Sequence, residues 1–339
     1  MKIVFVHLDT QIPRFLQENI KFCARSFPFL EIVLITNVKY RGQIEKNMRI
    51  FNYEKDNEWS TMEKSLSHPK EFRGNFWLTS YGRFLAISQF LKIYDSEIIH
   101  VESDVIISKD FPFQIFSKIK KEIAYPLVSE IRGIASIIDF RNYSSCRKLV
   151  EHSIKDAIVN PQITDMLTLR SFFNLNKKIV QVIPNFPVSK SSQVEIFKTD
   201  FSYHLDKTEN FKGIFDGNDI GVYIFGTNPF NKKSISFLRT DIPGNYFKAS
   251  DFKYTYNNLR EFVDVASDQG KFSVYALHIT SKQAKFFKKF RRGQKLNIRL
   301  WIVNMGFSRY IVFGVLISIS LKKILKLLKQ LEILIRRFV

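Results

Sequence analysis

The chain has 339 residues, of which 45% are hydrophobic, and carries a formal net charge of +20 at pH 7. This length accommodates one large domain with an appendage, and the hydrophobic fraction excludes intrinsic disorder over most of it. The charge does not predict nucleic-acid binding, because Lys and Arg concentrate from Lys282 onward, where Glu332 is the only acid. A basic tail on a nearly balanced body favours contact between that tail and an anionic surface.

The first segment, KIVFVHL (2–8), predicts a β-strand. It does not resemble a secretory signal, because its apolar run is short and meets Asp9 without a small-residue cleavage site. Cys23 and Cys146 have neither pairing nor metal-ligand spacing, so we expect both to be small buried side chains in a reducing compartment.

Strands and helices then alternate along the chain. Predicted helices run from Pro13 to Phe27, from Trp77 to Tyr94, from about residue 141 to 155, and over 163–175. Predicted strands cover 31–37, 48–53, 96–108, 124–128, 133–140 and 274–279, whereas 54–75 and 184–220 are predicted to be loops. This alternation predicts an α/β fold with a largely parallel sheet flanked by helices.

The strongest local feature is the triplet Glu102-Ser103-Asp104, which interrupts an apolar strand. Ligands of open α/β sheets bind beyond the carboxyl ends of strands, and alternation along a strand places Glu102 and Asp104 on one side. Converging carboxylate oxygens suit Mg²⁺ or Mn²⁺ together with substrate phosphates. A strand end that turns into solvent also explains two acids, so the triplet alone leaves both interpretations open.

Other familiar sites are absent from the sequence. The six histidines form no H-E-x-x-H or Cys/His zinc pattern, and there is no G-x-G-x-x-G, no G-K-[ST] and no G-x-S-x-G. The dehydrogenase, P-loop and α/β-hydrolase classes are therefore disfavoured.

The stretch from Tyr81 to Ser108, YGRFLAISQFLKIYDSEIIHVESDVIIS, resembles the core of GT-A glycosyltransferases, which place an Arg-bearing helix before a strand ending in a D-x-D type triplet. The resemblance covers roughly residues 1–290 and extends to the glycogenin-like and bacterial polysaccharide groups. It implies that Arg83 contacts the nucleotide region, that Asp104 binds metal directly, and that Glu102 binds metal or ribose beside Ser103.

The same resemblance assigns the two ends of the domain. Val6, His7 and Thr10, at the end of the first strand, fall where such enzymes hold the nucleoside base. In LHITSK (277–282), His278 falls on the histidine that completes metal coordination and Lys282 on the lysine that meets the diphosphate. The glycine that follows this histidine in the family is missing here, and a core histidine is the alternative for His278.

A catalytic base is needed only if the reaction inverts the anomeric centre. The segment FDGNDIGVYIFGTNP (215–229) resembles one that recurs in bacterial glycosyltransferases, and its Asp216 and Asp219 are the best candidates for that base. Asp165 is a third, and Asp139 ends a strand that could face the acceptor. A tight turn is the alternative explanation of the glycine-flanked acids.

The C-terminal tail combines charge with apolar helical periodicity. Residues 298–321 are strongly apolar, but Arg299, Asn304 and Arg309 interrupt them, and Tyr310–Leu321 is too short to span a bilayer. The following segment places apolar residues on one helical face and Lys322, Lys326 and Lys329 on the other. This predicts a basic amphipathic helix at an anionic membrane surface; docking on protein, or a true span, are the alternatives.

These observations predict a GT-A-like catalytic domain at 1–290 and a membrane-associating helical region at 291–339. The expected enzyme is a Mn²⁺- or Mg²⁺-dependent glycosyltransferase that moves a sugar from a nucleotide sugar, UDP-type favoured, to a glycan or lipid-linked acceptor. We expect it at the cytoplasmic face of a bacterial cell membrane. The alternatives are a non-catalytic protein that binds anionic lipid or nucleic acid through the tail, and a degenerate GT-A scaffold.

Overall fold

The computed structural model describes residues 1–68, 75–187, 211–225, 241–242, 244–267 and 270–279. Its larger sheet has seven strands in the order β3-β2-β1-β4-β7-β6-β8. These strands are β1 (Lys2–His7), β2 (Glu31–Thr36), β3 (Met48–Asn52), β4 (Ile98–Val101), β6 (Ile123–Tyr125), β7 (Ile137–Phe140) and β8 (Val180–Val182). Only β7 runs against its two neighbours, so the sheet is mostly parallel.

A smaller sheet continues from the end of β4. Its strands, in the order β10-β11-β12-β5, are β10 (Lys253–Asn257), β11 (Phe262–Ser267), β12 (Gly270–His278) and β5 (Val105–Ile107). A further short strand, β9 (Gly213–Phe215), pairs in parallel with β12. The chain thus leaves the large sheet at β4 and enters the small one at β5, with Glu102-Ser103-Asp104 in between.

Helices cover both faces of the large sheet. They are α1 (Arg14–Ser26), α2 (Asn57–Ser65), α3 (Phe76–Tyr94), α4 (Phe113–Phe116), α5 (Tyr143–Val159), α6 (Asp165–Leu175) and α7 (Asp219–Phe225), with a 3₁₀ turn at Ala249–Asp251. Alternation along β1 sends Ile3 and Phe5 into the core under α1, and Val4 into the core under α3 and α5. Both cysteines are buried, and neither forms a disulfide.

The structure confirms the predicted α/β class, with a mostly parallel sheet flanked by helices. Three local predictions were wrong. The predicted loop at 54–75 contains α2, whose first turn is capped by the Asp56 side chain accepting from the Glu58 and Trp59 backbone. The predicted strand 96–108 is two strands in two sheets, and the predicted loop at 184–220 contains β9 and the start of α7.

The predicted tail and the proposed boundary at residue 290 lie outside the described residues. In the part of the chain that the structure describes, no helix has the length and apolar character needed to cross a membrane.

Candidate metal and nucleotide-sugar site

A turn fixes the acidic triplet at the carboxyl end of β4. The Val105 N–H donates to the Glu102 carbonyl at 3.0 Å, and the Glu102 N–H donates to the Ser136 carbonyl at 3.1 Å. Buried Asn19, on α1, donates its side-chain amide to the carbonyls of Ser103 (3.3 Å) and Val105 (2.7 Å). The turn is therefore held from both sides, and nothing in the sequence pattern marked Asn19 for this role.

Strand pairing brings His278 to the same place. β12 runs antiparallel to β5 with His278 opposite Val105, and the Ile279 N–H donates to the Asp104 carbonyl at 2.7 Å. The His278 Nε2 atom lies 3.2 Å from Asp104 Oδ1 and 3.7 Å from Glu102 Oε2. Ligand atoms of Glu102, Asp104 and His278 all lie within 4.8 Å of one another.

This group has the chemistry of a divalent-cation site. The Glu102 Oε2 atom is buried and accepts no hydrogen bond from the described residues, although a buried carboxylate oxygen is costly to leave without a partner. Two carboxylates and one imidazole are suitable ligands for Mn²⁺. The residues present therefore fit the metal that the resemblance implied, and His278 lies close enough to both carboxylates to share a cation with them.

In the absence of a cation, the charges of the site favour an ionised Glu102 and a protonated His278. Burial alone would raise the pKa of Glu102, but Arg83 and His278 bring it below its usual value. Burial would lower the pKa of His278, yet Asp104 and Glu102 raise it to about 9. A bound cation would take the place of that imidazolium proton between the carboxylates.

Arg83 lies between two carboxylates. Its Nη1 atom donates to Glu102 and its Nη2 atom donates to Asp165 at 2.9 Å. Asp165 begins α6, and burial raises its pKa while Arg83 lowers it. Asp165, the third candidate base, therefore lies in the site and is paired with Arg83.

A cavity of about 610 Å³ opens above these residues. Its wall includes Val6, His7 and Thr10 from the end of β1, together with Arg83 and the whole triplet, so most predicted donor-binding residues lie around one space. His7 Nε2 lies 3.0 Å from Thr10 Oγ1. Lys282, the remaining predicted donor contact, lies outside the described residues.

Two further cavity residues were missed in the sequence. Asp9, at the mouth beside β1, exchanges two hydrogen bonds with Asn37 at the end of β2. His100, on β4, lies in the cavity floor, where burial and Arg83 lower its pKa to about 3. The general rule that parallel strands end at one edge of a sheet would have indicated the Asp9–Asn37 pair.

The two acids predicted as bases do not line the cavity. Asp216 is fully buried, and its oxygens accept backbone N–H groups from Ile220 (3.0 Å), Gly221 (2.8 Å) and His278 (3.1 Å). It therefore fixes the start of α7 against the end of β12. Asp219 is also buried and accepts from the Asn245 side chain at 2.6 Å.

Asn218 and Asp139 differ in their position relative to the cavity. Asn218, between Asp216 and Asp219, is the member of that turn that lines the cavity, with a left-handed φ of 86°. Asp139 lies inside the sheet, between β4 and β6, and is fully buried. None of the three acids Asp139, Asp216 and Asp219 lines the cavity, so their positions do not support a proton-transfer role.

Among the comparisons with known proteins, only solved structures gave matches. No family model matches the chain, and no curated protein matches it. Among solved structures, the chain is similar to the galactosyltransferase LgtC in complex with donor and acceptor sugar analogues (TM-score 0.41, 14% identity, 60% of this chain and 81% of that one). It is also similar to mouse xyloside xylosyltransferase 1 (TM-score 0.36, 9% identity, 54% and 84%) and to the glycosyltransferase GlyE of Streptococcus pneumoniae (0.37, 14%, 54% and 46%).

These three structures are glycosyltransferases. With identities of 9–14% and TM-scores below 0.5, the function of this chain has to be argued from its own residues.

Proposed function

We propose that this chain is a metal-dependent glycosyltransferase that transfers a sugar from a nucleotide-sugar donor. One observation carries the proposal: Glu102, Asp104 and His278 converge on the floor of a cavity large enough for a ligand, and Glu102 Oε2 accepts no hydrogen bond from the described residues. The cavity lies at the carboxyl ends of β1 and β4, the usual ligand position in an open α/β sheet.

The charge distribution suits a departing nucleoside diphosphate. Glu102, Asp104 and His278 would hold a Mn²⁺ or Mg²⁺ ion, which supplies positive charge where the diphosphate leaves the sugar. Without that ion the positive charges of Arg83 and His278 are taken up by the neighbouring carboxylates and leave no excess positive charge for a diphosphate, so donor binding should depend on the metal.

The residues at the end of β1 support a donor whose base offers a ring N–H. Asp9 is fixed by Asn37, whose Nδ2 donates to Asp9 Oδ1 at 2.7 Å, and by Lys55, whose Nζ lies 2.9 Å from the same oxygen. A fixed carboxylate is a hydrogen-bond acceptor. Uracil and guanine carry a ring N–H and cytosine does not, which favours UDP- or GDP-type donors over CMP-type donors; the resemblance favours UDP.

The C-terminal tail is the basis for the acceptor and the cellular location that we propose. The basic, periodically apolar tail supports a peripheral or monotopic enzyme on the inner face of a bacterial membrane, acting on a glycan or lipid-linked acceptor in surface glycoconjugate synthesis.

A thermal-shift screen tests donor and metal together. UDP-, GDP- and CMP-sugars are each added with and without Mn²⁺, using wild type, Asp104→Asn, and Glu151→Gln as a control on the exposed side of α5. A ligand at 100 times its Kd stabilises the folded state by about 2.7 kcal/mol, or about 5–10 °C for a domain of this size.

We expect that shift from a UDP-sugar with Mn²⁺ in wild type and in the control, and its loss in Asp104→Asn. Equal shifts with and without Mn²⁺, or an unchanged response in Asp104→Asn, would contradict the metal-dependent donor site. Absence of any shift with every nucleotide sugar would favour a degenerate scaffold.

A further inference from the structure

We infer that Arg83 and Asp165 are positioning residues of the metal centre: Asp165 fixes Arg83, and Arg83 fixes Glu102 so that one carboxylate oxygen faces Asp104 and His278. The inference rests on the proposed metal site and assigns new roles to two residues around it. It differs from the expectation that Arg83 serves mainly as a contact to the nucleotide.

All three guanidinium nitrogens of Arg83 are engaged inside the protein. Nε donates to the Ser80 carbonyl at 2.7 Å, Nη1 donates to Glu102 Oε1, and Nη2 donates to Asp165 Oδ2 at 2.9 Å. The Arg83 side chain is only 11% exposed. A planar group held at three points has one orientation, which the flexible ammonium of a lysine would not reproduce.

As a consequence, the two carboxylate oxygens of Glu102 have different surroundings. Oε1 is taken by Arg83, and Oε2 is left buried, without a hydrogen-bond partner among the described residues, 3.7 Å from His278 Nε2. Arg83 therefore leaves a single oxygen of Glu102 for a cation, in a fixed direction.

Asp165 completes the arrangement from a separate element. Thr164 caps α6 by accepting from the Leu167 N–H, which fixes Asp165 in the first turn of the helix, 6% exposed. There its carboxylate accepts a hydrogen bond from Arg83 Nη2 and balances part of the guanidinium charge. Groups that orient a metal ligand in this way typically contribute 10–100-fold to metal affinity when tested by mutation.

The test is Mn²⁺ binding without any nucleotide, measured by titration calorimetry or by the loss of the free-Mn²⁺ electron paramagnetic resonance signal. The variants are Asp165→Asn and Arg83→Lys. Arg147→Lys is the matched control, because Arg147 also bridges two acids, Glu58 and Glu151, but does so on the outer side of α5. Circular dichroism and the unfolding midpoint establish that each variant is folded.

We expect the Mn²⁺ dissociation constant to rise about 10-fold or more in Asp165→Asn and Arg83→Lys and to stay unchanged in Arg147→Lys. At saturating Mn²⁺, UDP affinity should then return to within a few-fold of wild type. Unchanged Mn²⁺ affinity with weakened UDP binding at saturating Mn²⁺ would overturn the inference and assign Arg83 to the nucleotide.

A double-mutant cycle separates positioning from general loss of structure. If Asp165 acts through Arg83 and Glu102, Asp165→Asn will add little to the loss of Mn²⁺ affinity already caused by Glu102→Gln. Full additivity would show that Asp165 acts by another route. Failure of the wild-type protein itself to bind Mn²⁺ would instead refute the proposed metal site.

Discussion

The aspartates of this protein show how surroundings decide what a carboxylate does. Asp104 lies at the cavity floor beside His278. The oxygens of Asp216 accept hydrogen bonds from backbone N–H groups, and Asp139 is buried inside the sheet. Their position at a strand end predicted a ligand site at Glu102 and Asp104, and both residues line the cavity. That position could not separate them from Asp216 or Asp219, because neither the backbone N–H partners of Asp216 nor the distant Asn245 partner of Asp219 leaves a mark in the pattern of residue types.

Asp139 provides a prediction at this scale. Both of its oxygens are buried and accept no hydrogen bond from the described residues, and burial raises its pKa well above the usual value. Because the folded-state pKa exceeds that of the unfolded chain, the folded state binds the proton more tightly. Stability is therefore highest at acidic pH, as far as this group is concerned, and is lost as pH rises toward the folded pKa.

We expect Asp139→Asn to raise the unfolding midpoint at pH 7.5, by about 2–4 °C for each kcal/mol gained, with a much smaller effect at pH 4. Calorimetric scans at both pH values measure this. An equal or lower midpoint at pH 7.5 would show that the carboxylate is paired or hydrated when the protein is folded.

At the scale of elements, the decisive event is the break between β4 and β5. The sequence predicted one strand over 96–108 with Glu102 and Asp104 on one side; in the structure the triplet is a turn, and its acids converge because β5 joins β12. The local pattern identified the break but not the partner strand, since the pairing of β5 with β12 joins segments that lie far apart in the sequence. The short strands β8 and β9, which also pair with distant segments, were missed for the same reason.

Gly221 tests how tightly α7 and β12 define the site. A Cβ at this position would lie 1.7 Å from the His278 carbonyl oxygen, a backbone atom that cannot move without moving the strand. We expect Gly221→Ala to lower stability by about 1–3 kcal/mol, the usual cost of overpacking, and to weaken Mn²⁺ binding by displacing His278. Urea unfolding and Mn²⁺ titration measure the two effects.

Gly42→Ala is the matched control for that substitution. A Cβ there would meet only the ring end of the Tyr40 side chain, which can move aside. Equal losses in both variants would mean that the contact of Gly221 with β12 has no special effect on the site.

At the scale of the whole molecule, most of the excess of positive charge belongs to the C-terminal segment, which lies outside the described residues. We expect a chain lacking residues 296–339 to lose flotation with vesicles containing anionic lipid while it keeps Mn²⁺-dependent donor hydrolysis. Replacing Lys322, Lys326 and Lys329 with Gln should weaken binding to anionic vesicles and leave binding to zwitterionic ones unchanged. Continued flotation of the truncated chain would contradict membrane association through the tail.

The central claim is that Asp104, with Glu102 and His278, holds the cation on which donor chemistry depends. Its most direct test is the rate of UDP release from a UDP-sugar without acceptor, compared between wild type and Asp104→Asn with Mn²⁺ and with a chelator. We expect release by wild type only with Mn²⁺, and a fall of about 100-fold or more in Asp104→Asn, beyond the effect of indirect partners of a metal ligand. Release at the wild-type rate by Asp104→Asn would contradict it.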